Sequence, residues 1–263
     1  MSIARLGVRD VFFEMHGASG EHVVLMHSLG GDHSTFAEHA RALSRRYRVL
    51  TFDMRGHGRS TLDAQTPSLD VLADDVMGLL SHLEISRAHL VGQSIGGMIA
   101  LAFASRYRDW AGSFAVVAGA ASSDALWDRR YAERADLVEQ QGIDGIAMEI
   151  ATASFGETTR RRRPDLVASW ARTLKRADRR GYAWSCRAMI GFDLRSALAN
   201  IACPVLVVSG AEDVLIGERH AREISETVPR SRLETIAECG HLPFLEQPRD
   251  VTKLLDAWLG SAP

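Results

Sequence analysis

The chain has 263 residues, of which 46% are hydrophobic and 24% are charged, and this is the composition of an ordinary folded protein. The length allows one or two domains with a sizeable core. The composition excludes a disordered or fibrous chain. The formal net charge is −2 at pH 7, which provides no basic surface to attract nucleic acid.

The sequence does not indicate a membrane or secretory segment. No apolar run approaches the roughly 18 residues that cross a bilayer, and charged residues interrupt residues 1–15, where a signal peptide would be apolar. The three cysteines, Cys186, Cys203 and Cys239, match neither a zinc site nor a disulfide framework. We expect a cytoplasmic protein with reduced cysteines and no membrane partner.

The first part of the chain alternates between apolar runs and helical patterns. Continuous apolar runs are typical of strands buried on both faces, and they cover residues 22–27, 48–53, 88–92 and 113–117. Helical patterns cover residues 36–43, 69–83 and 95–107. This alternation predicts an α/β fold, in which a mostly parallel sheet carries helices on both faces and right-handed crossovers join its strands.

The pattern changes after residue 121. Residues 122–198 contain no strand-like run and are helical by composition. Strand patterns return at residues 204–210 and 232–237, and residues 251–259 predict a closing helix. We therefore predict a core formed by residues 1–121 and 199–263, interrupted by a helical insertion over residues 122–198.

The strongest chemical signal is the run Gly92-Gln93-Ser94-Ile95-Gly96, which follows an apolar strand and precedes a helical pattern. A G-x-S-x-G run in that context predicts a nucleophile elbow, a turn so sharp that only small residues fit two positions before and after the serine. The elbow presents the hydroxyl at a helix N-terminus, where N–H groups favour a developing oxyanion. We predict that Ser94 is a nucleophile; the alternative is a glycine-rich turn without chemistry.

A serine hydroxyl needs a base, and the base needs an acid that orients it. Among the ten histidines, His241 lies in a loop after the last strand pattern and before the last helix. Asp213 follows the strand pattern that ends at residue 210, so the chain order is Ser94, Asp213, His241, the order of α/β-hydrolases. Glu212 and Asp124 remain alternative acids.

A second turn, Ser28-Leu29-Gly30-Gly31, follows the first strand pattern. In an α/β-hydrolase this loop donates one N–H to the oxyanion and the residue after the nucleophile donates another, so we assign the oxyanion hole to the backbone of Leu29 and Ile95. We interpret His27 as a residue that shapes the loop rather than as a catalyst.

These motifs together resemble the α/β-hydrolase superfamily over nearly the whole chain. The resemblance rests on H-S-L-G-G, F-D-M-R-G-H-G-R-S, G-Q-S-I-G-G, G-A-E-D and G-H-L-P-F-L-E-Q-P, in that order. Within the superfamily the chain is most similar to the 3-oxoadipate enol-lactonase group. It departs from that group at His27, where an asparagine is usual, and at Ser154-Phe155, where a Trp-Phe pair is usual.

The resemblance implies that residues 122–198 form a cap over the serine. Residues expected to line a substrate pocket are Ser28, Trp127, Met148, Phe155, Trp184 and Phe192, and for the large apolar ones ordinary packing within the cap is the alternative. The block Arg160–Arg163 could attract an anionic substrate or simply lie in solvent.

We therefore expect a serine hydrolase that cleaves an ester or lactone of a small molecule, of the enol-lactonase type, through an acyl-enzyme. A general carboxylesterase, a carbon–carbon bond hydrolase with the same three residues, and a hydrolase-fold protein that binds a small molecule without turnover remain alternatives. No cofactor and no metal are expected, because the chain lacks a dinucleotide fingerprint, a P-loop and a ligand cluster. The sequence does not indicate an oligomeric state.

Overall fold

The computed structural model describes residues 2–261, and within that range eight strands form one sheet. Their order across the sheet is β1-β2-β4-β3-β5-β6-β7-β8, with β1, β2 and β4 paired antiparallel and the other pairs parallel. The strands are β1 Ser2–Leu6, β2 Arg9–His16, β3 His22–Met26, β4 Arg48–Phe52, β5 Ala88–Gln93, β6 Ala111–Val117, β7 Val205–Gly210 and β8 Ser231–Ile236.

Helices follow most of the strands. They are α1 Ala37–Leu43, α2 Leu69–His82, α3 Ile95–Arg106, α4 Ala125–Gln141, α5 Ala147–Ser154, α6 Glu157–Arg162, α7 Pro164–Lys175, α8 Arg179–Ala188, α9 Arg195–Leu198, α10 Glu218–Thr227, α11 Pro243–Glu246 and α12 Pro248–Ser261. Across residues 2–261, none of them has both the length and the hydrophobicity that a membrane-spanning helix needs.

The sheet is buried on both faces because its apolar side chains alternate between two clusters. In β3, Val24 and Met26 join the cluster that contains α2, α3 and α10, whereas Val23 and Leu25 join the cluster that contains α1 and α12. Such alternation is the period-two geometry of a strand, and covering both faces requires the continuous apolar runs seen in the sequence. The predicted α/β fold with a mostly parallel sheet is confirmed.

The N-terminal hairpin β1–β2 was not predicted. Its two strands pair from Ser2 with Phe13 to Leu6 with Arg9, and Gly7 occupies the turn at φ +64°. A two-residue turn that starts with a positive φ suits glycine and closes a hairpin tightly. Because β1 is an edge strand with mostly exposed side chains, it lacks the apolar run that identified the parallel strands.

Helices α4–α9 lie between β6 and β7, in the segment predicted to be a helical insertion. Many of their buried side chains form a separate apolar cluster that includes Ala135, Phe155 and Leu174. The two ends of the segment are joined, since Leu194 N–H donates to Ala121 O over 2.7 Å and Ser123 N–H donates to Phe192 O over 3.0 Å. The division of the chain into a core and a cap stays a prediction.

Candidate active site

Ser94 lies at the carboxyl end of β5, beside β3, where the strand order reverses and α/β sheets open a crevice. Its backbone has φ 57° and ψ −120°, a conformation that is strained for a residue with a side chain. A Cβ atom on Gly92 would lie 2.0 Å from Gly96 O, and one on Gly96 would lie 2.3 Å from Met26 O. The two glycines are therefore required by space, as the elbow pattern predicts.

The structure brings Ser94, His241 and Asp213 together, although 147 and 28 residues separate His241 from the other two. His241 Nε2 lies 2.9 Å from Ser94 Oγ, and its Nδ1 lies 2.9 Å from Asp213 Oδ2. A neutral imidazole with its proton on Nδ1 donates to the carboxylate and accepts the serine hydroxyl. All three side chains are buried. This geometry allows His241 to remove the hydroxyl proton of Ser94.

Asp213 stays ionised despite its burial. Burial acts to raise its pKa, but the adjacent His241 and the N–H groups of Ile216 and Leu215 outweigh burial and hold the pKa below its usual value. Those N–H groups donate to Oδ1 over 3.2 and 2.9 Å, which leaves Oδ2 for the imidazole. The alternative acids point elsewhere: Glu212 accepts the N–H and hydroxyl of Thr158, and Asp124 caps α4.

Two neutral histidines hold the loop after β3. His27 accepts the N–H of Met54 on Nε2 and donates from Nδ1 to Ser28 O, so it shapes the loop as expected. His57 accepts the N–H of Gly30 on Nε2 over 3.2 Å and lies 3.0 Å from Arg55 O through Nδ1. Burial, and then the neighbouring His27, lower the pKa of His57 to about 4. The conformation of this loop therefore requires both imidazoles to be neutral, because each accepts an N–H on its Nε2 atom.

The oxyanion hole predicted from the sequence consists of the N–H groups of Leu29 and Ile95. Leu29 lies in the loop that these histidines hold, and Ile95 is the first residue of α3, next to Ser94. Within residues 2–261 neither N–H donates to another group of the protein, whereas the N–H of Ser94 donates to Val117 O over 2.8 Å. An unused donor pair beside a serine is what an oxyanion hole requires. Its assignment remains a prediction.

A cavity of about 30 Å³ adjoins Ser94 and His241. Of the predicted pocket residues only Ser28 lines it, together with Leu29 from the predicted oxyanion hole. The lining also includes eight residues that the sequence analysis did not select for the site: Tyr131, Arg134, Ile150, Ser154, Trp170, Tyr182, Leu215 and Leu242. Most of the wall therefore comes from α4, α5, α7 and α8 of the helical segment.

Five predicted pocket residues lie away from this cavity. Met148 is 52% exposed on α5, and Phe155 is buried in the apolar cluster of the helical segment. Trp127 packs against Phe192 and donates from its indole to Met189 O, while Trp184 donates to Gln65 O. Phe155 thus shows the predicted alternative of packing within the helical segment, whereas Trp127 and Trp184 are buried in the cluster that also contains α2 and α3.

Arg134 is the charged group of the cavity wall. It is half-buried, lies above the Tyr131 ring at 5.2 Å, and contacts the hydroxyl of Tyr182. Among residues 2–261 no carboxylate forms an ion pair with it. The spacing of Trp127, Tyr131 and Arg134 places all three on one face of α4, so helical periodicity applied to Trp127 could have found the other two.

One group of side chains has the composition of a metal site. One ligand atom from each of Asp32, His33 and Asp53 lies within 4.8 Å of the others. The carboxylate of Asp53, however, already accepts two N–H groups of the protein, from His33 over 2.8 Å and from Arg59 over 2.8 Å. These hydrogen bonds show that Asp53 joins two loops of the protein, which explains why the three side chains lie together.

Comparisons with known proteins agree with this geometry. Residues 23–254 match the alpha/beta hydrolase family. A 3-oxoadipate enol-lactonase of Acinetobacter baylyi is 30% identical over 240 residues, which cover 91% of this chain and 88% of that protein. The enol-lactonase of Burkholderia xenovorans superposes with a TM-score of 0.93 at 28% identity, covering 99% of this chain and all of that one.

An esterase of Thermogutta terrifontis, solved with malate bound, superposes with a TM-score of 0.92 at 28% identity, covering 97% of this chain and 94% of that chain. These similarities support a hydrolase. The matched family segment runs from Val23 in β3 to Leu254 in α12 and includes Ser94, Asp213 and His241. The chain belongs to the alpha/beta hydrolase family.

Proposed function

We propose that the protein is a serine hydrolase that cleaves an ester or lactone bond of a small molecule. The observation that carries the proposal is the continuous chain of contacts from Ser94 Oγ through His241 to Asp213, each 2.9 Å long. It gives a weak nucleophile both an adjacent base and an acid that fixes the tautomer of the base. No metal or cofactor is needed for this chemistry.

In the first step His241 Nε2 takes the hydroxyl proton while Ser94 Oγ attacks the carbonyl carbon. The N–H groups of Leu29 and Ile95 stabilise the oxyanion, and the ionised Asp213 stabilises the imidazolium. The imidazolium then protonates the departing oxygen, which leaves an acyl group on Ser94. A water molecule, deprotonated by His241, hydrolyses this acyl-enzyme and restores the serine.

The finer proposal is an enol-lactonase whose substrate carries a carboxylate. Arg134 is a guanidinium in the cavity wall and has no carboxylate partner among residues 2–261, and such a group can bind a carboxylate of a ligand through two hydrogen bonds. Burial raises the pKa of Tyr182, so its hydroxyl stays a neutral hydrogen-bonding group beside Arg134. A lactone made from one carboxyl group of 3-oxoadipate keeps the other carboxyl group free.

We further propose that residues 122–198 act as a cap that must move to admit the substrate. The cavity of about 30 Å³ is far below the roughly 300 Å³ of a small-molecule site. Side-chain hydrogen bonds from Trp184 Nε1 to Gln65 O and from Arg219 to Asp124 at the start of α4 join its wall from α4 and α8 to the body of the protein, and the two parts also pack through apolar side chains. Outward movement of these helices would enlarge the site.

The reaction is tested with the variant Ser94→Ala and with a fluorophosphonate probe. The wild-type protein should be labelled at Ser94 and should release p-nitrophenol from p-nitrophenyl acetate. The variant should lose labelling and should show a kcat lower by about 10⁴-fold or more. A variant with near-normal turnover would refute the mechanism. A wild-type protein that binds lactones but neither reacts nor turns over would favour the binding protein.

The substrate class is tested by pairing a carboxylate-bearing enol-lactone with its neutral methyl ester. The variant Arg134→Leu should lower kcat/KM for the acid by about 10- to 100-fold, because a hydrogen bond to a charged group contributes about 1.5–3 kcal/mol. Its kcat/KM for the methyl ester should change by less than about threefold. Equal losses on both substrates would contradict a carboxylate-binding role.

A carboxylesterase is the second candidate, because the Thermogutta terrifontis esterase shares the fold at 28% identity. Comparing the same two lactones with an acyclic ester, p-nitrophenyl acetate, separates the two functions. An esterase would hydrolyse acyclic esters faster than either lactone.

A further inference from the structure

The main chain at His241 is held from two directions. Its N–H donates to Ser154 O, at the end of α5, over 3.0 Å. Its carbonyl accepts the side-chain amide of Gln93, the residue before Ser94, over 3.2 Å. The base is thereby tied both to the helical segment and to the elbow that carries the nucleophile.

The residues on either side of His241 are held by one carboxylate. Glu246 Oε1 accepts the N–H of Gly240 over 2.9 Å and the N–H of Leu242 over 3.2 Å. Its other oxygen, Oε2, accepts the N–H of Gly156 over 3.0 Å. One side chain therefore contacts both chain neighbours of the base and the start of α6 in the helical segment.

Glu246 is only 6% exposed, and among residues 2–261 no cation forms an ion pair with it. A buried carboxylate without hydrogen bonds would be costly, so its three N–H donors account for its presence there. Conversely, removing the carboxylate would leave three buried N–H groups without an acceptor.

The segments joined by Glu246 touch directly. A Cβ atom on Gly240 would lie 2.2 Å from Gly156 N, and one on Gly156 would lie 2.8 Å from Gly240 N. With no side chain between the two backbones, a shift of residue 156 is transmitted directly to the loop that carries His241.

We propose that Glu246 is a positioning residue for His241. It fixes the main chain before and after the histidine and couples that loop to the helical segment at residue 156. In this way it keeps His241 Nε2 within hydrogen-bond distance of Ser94 Oγ. The consequence for turnover rests on the proposed function, whereas the consequence for the imidazole geometry does not.

Glu212 provides a matched control. It also accepts an N–H from the start of α6, that of Thr158 over 2.8 Å, and the Thr158 hydroxyl over 2.6 Å. Unlike Glu246, it accepts no hydrogen bond from residues 240–242. Glu246→Gln has one acceptor oxygen in place of two, so its NH2 group faces either the N–H of Gly156 or the N–H groups of Gly240 and Leu242, and in either orientation the coupling between the histidine loop and the helical segment is broken. Glu212→Gln makes the same chemical change at Thr158 and leaves that coupling intact.

The experiment compares kcat and KM on p-nitrophenyl acetate, the fluorophosphonate labelling rate, and the proton NMR signal of His241 Nδ1–H. Glu246→Gln should lower kcat and the labelling rate by about 10- to 100-fold, since small misplacements of a catalytic group have effects of that size. KM should stay within about threefold, and the Nδ1–H signal should shift or broaden. Glu212→Gln should leave all four quantities near the wild-type values.

Glu246→Asp keeps the charge but is one methylene shorter, so it cannot reach both Gly156 and Gly240. It should give an intermediate kcat, and it replaces Glu246→Gln if that variant does not fold. Unchanged kcat and an unchanged Nδ1–H signal in a folded Glu246 variant would overturn the proposal, and so would equal losses in Glu212→Gln. If the wild-type protein itself neither reacts nor turns over, the proposed function fails while the NMR signal still tests Glu246.

Discussion

Replacement of His57 by glutamine should weaken the dependence of folding stability on acid. The folded protein keeps His57 neutral, with a pKa lowered to about 4, chiefly by burial. The unfolded chain has the ordinary pKa of about 6.5, so below that pH it binds more protons than the folded state. The stabilisation from His57 is complete above pH 6.5 and is lost as the pH falls towards 4.

Linkage converts these two pKa values into a free energy. Between about pH 7.5 and pH 5, protonation of His57 in the unfolded state lowers the free energy of unfolding by about 2 kcal/mol. Urea unfolding should show that the free energy of unfolding of the wild-type protein falls between the two pH values. The fall should be smaller by about 2 kcal/mol in His57→Gln. A glutamine still offers an oxygen that can accept the N–H of Gly30, but it does not titrate.

His82→Gln is the control, since His82 lies exposed at the end of α2. It makes the same substitution at a position outside the loop after β3, and other buried histidines contribute equally to all three proteins. If His57→Gln lost as much stability as the wild-type protein between the two pH values, then His57 would not be held neutral by the fold. The explanation of the loop after β3 given above would then be wrong.

Asp213→Asn should lower kcat on p-nitrophenyl acetate by about 10⁴-fold with little change in KM, because an amide favours the wrong tautomer of His241; a loss below tenfold would show that another group orients the base. Gly96→Ala should lower the free energy of unfolding by about 1–3 kcal/mol, because its Cβ would lie 2.3 Å from Met26 O. Gly145→Ala, where no atom lies within 4 Å, should change it by less than about 1 kcal/mol in the same urea titration.

The parallel strands and the candidate site at their carboxyl ends could be predicted because each produces a local pattern in the sequence. A strand buried on both faces needs an uninterrupted apolar run, such as Val205–Gly210. The elbow needs small residues at fixed distances from Ser94, which the spacing at Gly92 and Gly96 explains. A base and an acid that act on Ser94 must lie in loops at the same edge of the sheet, so Asp213 and His241 could be selected from many candidates.

The cavity wall could not be predicted in the same way. Large apolar residues such as Trp127 and Phe155 were expected in the pocket, but a large ring is equally suited to the space between helices. Helical periodicity groups Tyr131 and Arg134 with Trp127 on one face of α4, but it does not show which of these residues meet Ser94, because that depends on how α4 and α8 cross. The role of Glu246 could not be predicted either, because its three partners are backbone N–H groups, which leave no pattern of side chains in the sequence.

The joined ends of the helical segment also bear on how such proteins can diverge. Backbone hydrogen bonds join residues 121–123 to residues 192–194, so the chain leaves the sheet layer and returns to it at two adjacent points. A segment of another length could be inserted between these two ends without altering the register of β6 with β7. Recombination could therefore exchange the residues that determine selectivity while Ser94, Asp213 and His241 stay unchanged. To hold the histidine loop, a transplanted segment would need to restore the carbonyl at position 154 and the N–H at position 156.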